Sequence, residues 1–365
     1  RGIREARDLS EYDNLCAAAY LRAKEDYLMG INFSRVLTLK YGNAVKDYLK
    51  LDRAVVSVGR VMTCVLGMVV NREREIRNFE KTPFFRVVAS VLLGERGIDC
   101  EWRAVEGTPY FASPLLYKEN GFKEREPAEN LIQYLLEEPR KAIVHSIEKK
   151  KENKNAPLLY NLAELQNDCS KYFKISPDET LQVAQDLYEK KLTTYPRTDA
   201  RVLSTAVAKE IGKNLNRLKT YEPTKTYTEC ILKEGTYRNI ARTQYTDDSK
   251  ITDHYAIIPT GQLTELGSLS DLQRRVYDLV VRRFLSIFYP AAEYETIKLV
   301  VQVGAEQLFA SAKVLKNPGF LEIMGRPGND ENKEEESAGL LKLAGQLKTG
   351  DPLKVDAYEI KEGKT

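Results

Sequence analysis

The stretch Leu192-Thr193-Thr194-Tyr195-Pro196-Arg197-Thr198-Asp199-Ala200-Arg201 puts a phenol, a guanidinium and a carboxylic acid within five residues (Tyr195, Arg197, Asp199). Pro196 fixes its own φ and biases Tyr195 toward extended backbone, so the phenol is expected on a stiff loop rather than inside a helix. Arg197 offers a planar fork that matches phosphate oxygens and stays charged. Together these groups have the makings of a covalent phosphotyrosine site. A free phenol, with a pKa of about 10, needs a positive field, a proton acceptor or a metal to attack phosphorus at neutral pH. The chain has only two histidines. Of these, His254 can donate to a phosphate oxygen or relay a proton, or else serve as an ordinary structural residue. A Tyr-Pro turn is also common scaffolding, and the residue types alone leave both readings open.

The elements that must position these residues are legible in part. Asn161 followed by Glu164 signals a helix start, with Leu162, Leu165, Cys169 and Tyr172 on one face. Ser176-Pro177-Asp178-Glu179 is a second start, with cap, proline and acid in order and Leu181, Ala184, Leu187 and Tyr188 as its buried stripe. Two helices joined by a short turn predict a helix-turn-helix unit, winged-helix-like, with Tyr195 just past its second helix. Ser268 to Tyr289 predicts a further amphipathic helix ended by Pro290. Near the start, Ser10 to Lys40 has helical spacing, with Ser10 as cap and Gly30 as an interruption. Ser57 to Arg74 predicts one long helix. Its apolar stripe is Val61, Val65, Met68 and Val69, and Arg60, Thr63 and Gly67 fall on another face.

After Asn78 the period changes to two. Phe85, Val87, Ala89 and Val91 alternate with Arg86, Val88 and Ser90, and Cys100 to Val105 is a partner strand. Ala142 to Ile147 predicts another strand, which carries His145. Lys149 to Asn155 (KKKENKN) has no apolar residue and reads as a linker. A second β block follows at Ile297 to Val303 and Leu308 to Leu315. Asn329 to Ser337 is acidic and reads as a flexible loop. The expected fold is α+β and multidomain. Residues 1–77 are helical; 78–150 with 291–365 form a discontinuous β-rich domain; 151–290 form a helical domain carrying Tyr195.

The 365 residues are enough for two or three cores. The 56 basic and 53 acidic residues leave a net charge of +3, so any nucleic-acid surface must come from local placement. Five scattered cysteines without a C-x-x-C pair fit reduced thiols of a cytosolic protein, not a zinc site or a disulfide frame. No apolar run reaches the ~18 residues of a membrane span. Arg1 in place of a methionine, and a polar stretch at Thr365, suggest a piece of a longer chain.

Leu192–Asp199 resembles the active-site tyrosine motif of the type IA DNA topoisomerases, close to the topoisomerase III branch. The same family is resembled, in the same order, by Ser57–Thr63 (SVGRVMT), Asn71–Ile76 (NREREI) and Ile251–Thr260 (ITDHYAIIPT). The likeness runs from about Ser10 to Phe320. It implies that the β-rich domain is an arch carrying the tyrosine domain at its far end. It also implies that Tyr195 attacks single-stranded DNA and keeps the 5′-phosphate while releasing a 3′-hydroxyl. A strand then passes through the gap before resealing, without ATP. Arg197 and His254 take catalytic positions, His254 at the family's His-x-Ala-Ile position. Arg60 is expected to contact DNA. Arg35, in a segment like the family's basic one, is either a phosphate contact or a solvated helix charge. Thr63, Thr194 and Asp199 are further DNA-contact candidates, although Thr194 and Asp199 could equally orient neighbours or cap a turn. Met62 and Cys64 stand where the family usually has Gln and Pro, Ala200 where many members have Ser, and Tyr255 where relatives commonly carry a second histidine.

The family's acidic toprim domain, which binds Mg²⁺, has no counterpart here: no Asp-x-Asp occurs in the sequence. The expectation is an enzyme fragment, monomeric and in the bacterial cytoplasm at the DNA. It would hold no metal of its own and be inactive in relaxation without the missing toprim domain. The alternative is a non-catalytic single-stranded DNA-binding or accessory protein with the same fold. A tyrosine recombinase or relaxase would need more histidines or arginines near the nucleophile.

Overall fold

The computed structural model describes residues 8–137, 141–325 and 331–364. It divides into two units, one through Thr82 and one from Pro83. In the first, a 3₁₀ turn at Leu9–Tyr12 leads into α1 (Asp13–Leu49), and α2 spans Arg60–Arg77. Ser10 caps neither element: Asp8 caps the 3₁₀ turn, its carboxylate accepting from the Ser10 amide at 2.9 Å, and α1 follows from Tyr12 without a side-chain cap. Gly30 does not interrupt α1. Gly30, Ser34, Thr38 and Gly42 recur every four residues and so form one small-residue face. The backbone of 54–58 lies along that face. Ser34 Oγ accepts from Val58 N at 2.8 Å and Thr38 Oγ1 from Val56 N at 2.9 Å. A Cβ on Gly42 would sit 3.3 Å from the Ala54 carbonyl, so glycine serves close approach there. Because Val56 and Val58 are bound to α1 and Gly59 is extended, α2 starts three residues later than its sequence suggested. Its stripe is solvent-facing, with Met68 72% exposed.

The second unit contains a closed antiparallel ring of strands. These are β1 (Pro83–Leu93), β2 (Arg96–Arg103), β5 (Ala142–Lys154), β6 (Ala292–Val303), β7 (Glu306–Asn317) and β8 (Pro352–Lys364), with short β3 (Leu116–Lys118) and β4 (Gly121–Phe122) added at β1. The pairing runs β1–β2–β7–β6–β5–β8 and returns to β1, so these six strands close on one another. The core of this barrel contains Trp102, stacked on Phe122 with ring centroids 4.9 Å apart, beside the inward residues of the alternating strands. Helix α3 (Arg125–Leu136) packs Ala128, Leu131 and Leu135 into it, and α10 (Glu331–Ala344) packs Leu340 and Ala344. The expected acidic loop is therefore helical from Glu331, while its residues 329 and 330 lie outside the described residues. The expected linker is also structured. Lys149 to Lys154 continues β5 and pairs residue by residue with β6, ending at Lys154↔Ala292. Such a ribbon needs apolar residues only where it faces a core. The charged run lies mostly exposed, with Glu152 paired to Lys313 across the sheet. His145 is a strand residue, its Nδ1 3.0 Å from Gln302 Oε1.

A second core belongs to the helices. These are α4 (Leu162–Phe173), α5 (Pro177–Glu189), α6 (Thr205–Leu218), α7 (Lys225–Glu234), α8 (Asp271–Ser286) and the short α9 (Leu321–Met324). The starts follow the cap signals. Asn161 accepts from Glu164 N, and Ser176 with Glu179 forms a capping box, as does Ser270 with Gln273. Each such cap stabilises its helix by about 1 kcal/mol. Ser270 in that role starts α8 later than the expected Ser268. The expected face of α4 is buried at Leu165 and Cys169 but not at Tyr172, and the buried face of α5 is rotated toward Thr180 and Val183. Thr180, Val183, Ala184 and Leu187 are buried, whereas Tyr172 and Tyr188 are 53% and 39% exposed.

Candidate active site

Helix α5 delivers the chain to the Tyr195 loop through a sharp turn. Lys191 takes a left-handed conformation (φ 58°), and Leu192 and Thr193 then enter the helical core, 0% and 2% exposed. Two buried anchors precede the phenol, so its loop cannot drift far.

A second segment is laid along this loop. Thr194 N donates to the Ile258 carbonyl at 3.0 Å. The Thr194 hydroxyl donates to the Ala256 carbonyl (3.0 Å) and accepts from Ile258 N (2.9 Å). Thr260 N donates to the Leu192 carbonyl, and the Thr260 hydroxyl to that of Lys191. Farther on, the Thr198 hydroxyl donates to the His254 carbonyl at 2.8 Å and accepts from Ala200 N at 3.1 Å. The start of α4 closes the other side, with Leu162 N donating to the Thr198 carbonyl and Asn161 to that of Asp199. Each such bond contributes about 1 kcal/mol net, and together they fix one loop against the other.

The outcome is a ring pair. Tyr195 and His254 lie with centroids 4.6 Å apart, and Tyr188 meets Tyr195 edge-on at 5.3 Å. They line a cleft of about 360 Å³ with Lys191, Tyr255 and Gln262. Tyr195 is half-buried, and among the described residues its hydroxyl has no hydrogen-bond partner. Burial pushes the Tyr255 phenol up, so it stays protonated and neutral. Arg197 and Asp199 are exposed, and among the described residues neither side chain has a hydrogen-bond or ion-pair partner. Ala200 is 7% exposed, so a serine in its place would bring a hydroxyl in need of a partner.

Three sequence candidates belong to the first unit. Arg60 is bound to acids of α1, with Nε 3.1 Å from Asp26 Oδ1 and Nη1 3.9 Å from Glu25, which raises its already high pKa. Thr63 Oγ1 accepts from Gly59 N at 3.4 Å, at the start of α2. Arg35 is exposed on α1 and has no ion-pair partner among the described residues. Sequence reasoning missed Tyr188, which it placed in the core, and Thr198, which lies inside the motif but whose hydroxyl shows its purpose only once the two loops meet. It also missed Lys191 and Gln262.

No Asp or Glu lines the cleft. Among the described residues no group of three or more His, Cys, Asp or Glu is placed to hold a metal ion. The residues present do not fit a magnesium site. Among the described residues, too, no helix is long and apolar enough to cross a membrane.

A family model described as DNA topoisomerase matches residues 10–365, and the chain belongs to that family. It is 33% identical over 367 residues to DNA topoisomerase 3 of Bacillus licheniformis, covering 100% of this chain and 45% of that protein. Against DNA topoisomerase 3 of Bacillus subtilis it is 33% identical over 365 residues, covering 100% of this chain and 46% of the relative. The chain thus spans slightly under half the length of these curated relatives. Full-length topoisomerase I of Thermotoga maritima shares the fold, with TM-score 0.58 and 19% identity over 95% of this chain and 50% of that one.

Proposed function

We propose that this chain supplies the tyrosine half of a type IA topoisomerase active site, in a longer protein that cleaves and rejoins single-stranded DNA. The observation that carries this is the pinning of the Tyr195 loop to the His254 segment, with the unengaged phenol between them. Tyr195 Oη attacks phosphorus, the phenol loses its proton, and the bond to the 3′-oxygen breaks as that oxygen takes up a proton. The 5′-phosphate stays on Tyr195. The 3′-hydroxyl later reverses the step, and the ester bond keeps the energy for rejoining. His254 is positioned to donate to a phosphate oxygen or to receive the phenol proton. Arg197 supplies a charge free to meet the phosphate. Thr194 and Asp199 steady the strand at the same loop. Arg35, Arg60 and Thr63 contact DNA elsewhere. Arg60 does so by exchanging an exposed carboxylate pair, weak in water, for phosphate.

The cleft lacks carboxylates, so the Mg²⁺ on which the longer protein depends is held by its toprim domain and not by these residues. The chain alone is inactive in relaxation. The working division is 1–77 helical, 78–150 with 291–365 as the β-rich arch, and 151–290 carrying the tyrosine, with α4–α5 as a winged-helix-like unit. The two separate cores of the second unit support the last two parts. The longer protein acts as a monomer in the bacterial cytoplasm at the nucleoid. The same lack of carboxylates favours the second reading, a non-catalytic single-stranded DNA-binding or accessory protein. Relaxation of negatively supercoiled DNA by the full-length parent separates the two. Loss of activity in Tyr195→Phe supports the first reading, and undiminished activity in that variant removes it.

A further inference from the structure

A larger cleft, of about 1170 Å³, opens in the same helical body and shares no lining residue with the Tyr195 cleft. Its floor is a buried polar network. Arg283, 5% exposed, donates to Asp168 at 2.8 Å and to the Leu158 carbonyl at 3.1 Å, and its guanidinium lies 4.2 Å from the centre of the Tyr160 ring. The Tyr160 hydroxyl donates to the same Asp168 oxygen. The acids around the cleft are already engaged: Asp168 by Arg283, Asp278 by Arg282 at 2.6 Å, and Glu222 by Lys225.

Three cations at the cleft remain. Lys171, Arg274 and Arg275 line it, and among the described residues none has a carboxylate partner. Arg274 reaches only the Leu266 carbonyl, at 3.5 Å. Arg275 lies over the Phe173 ring at 4.5 Å, and Lys171 lies 5.3 Å from the centre of the Tyr172 ring. Tyr172, which α4 turns outward, is 53% exposed.

We infer that this cleft binds a nucleoside phosphate, with its base against Tyr172 and the Arg275–Phe173 stack and its phosphate on Lys171 and Arg274. An arginine over an aromatic ring adds to the stacking surface and keeps its charge, and every base has a face to lay on it. Unneutralised cations beside such a platform select an anion attached to a flat ring over either part alone. The volume exceeds the roughly 300–1,000 Å³ usual for small ligands, so a short stretch of strand fits as well as one nucleotide. The site is tied to the Tyr195 region by two contacts. Lys190 donates to Ser268 at 2.8 Å, and Gln273 to Asp186 at 2.9 Å.

The test is calorimetric titration of this chain with thymidine monophosphate, thymidine, inorganic phosphate and an acidic peptide, in Arg275→Ala, Arg275→Lys and Lys171→Ala. Both positions line the cleft, and circular dichroism checks that each of the three variants folds. Thymidine monophosphate is expected to bind more tightly than thymidine or phosphate. Arg275→Ala should weaken it about tenfold, or about 1.4 kcal/mol, and Arg275→Lys should recover only part of that. Tyr195→Phe should leave it unchanged, which keeps this result separate from the cleavage reading. No binding of the nucleotide, equal binding in all three variants, or equal binding of the peptide would overturn the assignment. Competition with short oligothymidylate identifies the source. Displacement sensitive to Arg275→Ala means that a DNA strand fills the site; binding of the mononucleotide without displacement means a free nucleotide.

Discussion

Replacing Thr198 by valine keeps the shape of the side chain and removes one hydroxyl that serves two backbone groups. That hydroxyl donates to the His254 carbonyl at 2.8 Å and accepts from Ala200 N at 3.1 Å, with Thr198 itself 7% exposed. Each bond contributes about 1 kcal/mol, and a buried amide or carbonyl left without a partner costs about 1–3 kcal/mol. The net cost is therefore expected near 2 kcal/mol, since water reaches the exposed neighbours Arg197 and Asp199 and offsets part of the loss. The damage should be local. Amide hydrogen exchange would show it directly, with Ala200 losing protection while the buried turns of α8 keep theirs. Covalent trapping on single-stranded DNA by the full-length parent should fall by more than the stability loss explains, because His254 is no longer held against Tyr195. Thr198→Ser should restore both. Unchanged exchange at Ala200 together with unchanged trapping in Thr198→Val would refute the argument that this hydroxyl couples the two loops.

Arg197→Ala should leave thermal stability unchanged, because the side chain is exposed and unengaged. It should lower trapping about a hundredfold, the scale for losing one group that stabilises developing charge. A fall in stability in its place would point to a structural role. Glu306, fully buried in the barrel, accepts from Trp102 Nε1 at 2.8 Å, and burial raises its carboxyl above the ordinary 4.5. The folded protein therefore holds this proton more tightly than the unfolded chain does, and barrel stability should fall as pH rises from about 4.5 through the raised value. Urea melts followed by Trp102, the only tryptophan in the chain, should show that slope, and Glu306→Gln should flatten it.

What the sequence made legible was what depends on neighbours in the chain. Asn161 and Ser176 cap their helices because a cap needs only its own first turn, whereas α8 was read as starting at Ser268, two residues before its actual cap Ser270. Lys149 to Lys154 looked like a linker because the strand that pairs with it begins at Ala292, far along the chain, and a ladder of backbone bonds asks nothing of side-chain type. Gly30 looked like a break because its partner, the backbone at Val58, is not its neighbour in sequence. The strand β8 and the helix from Glu331 went unread, being polar or weakly alternating segments ordered by the barrel they join. At the site, Tyr195 and His254 stood out through motifs, and the structure places them in ring contact. Tyr188 was assigned to the core by its spacing, yet the rotation of α5 brings it to Tyr195 instead.

The central claim is that Tyr195 is the nucleophile. It is tested most directly by trapping: a labelled single-stranded oligonucleotide and Mg²⁺ are incubated with this chain, with this chain plus a separately made toprim domain, and with the full-length parent, then denatured. The predicted result is a protein–DNA adduct from the full-length parent, reproduced by the chain only with the added domain and abolished by Tyr195→Phe. An adduct undiminished in Tyr195→Phe, or none from the full-length parent, would contradict it.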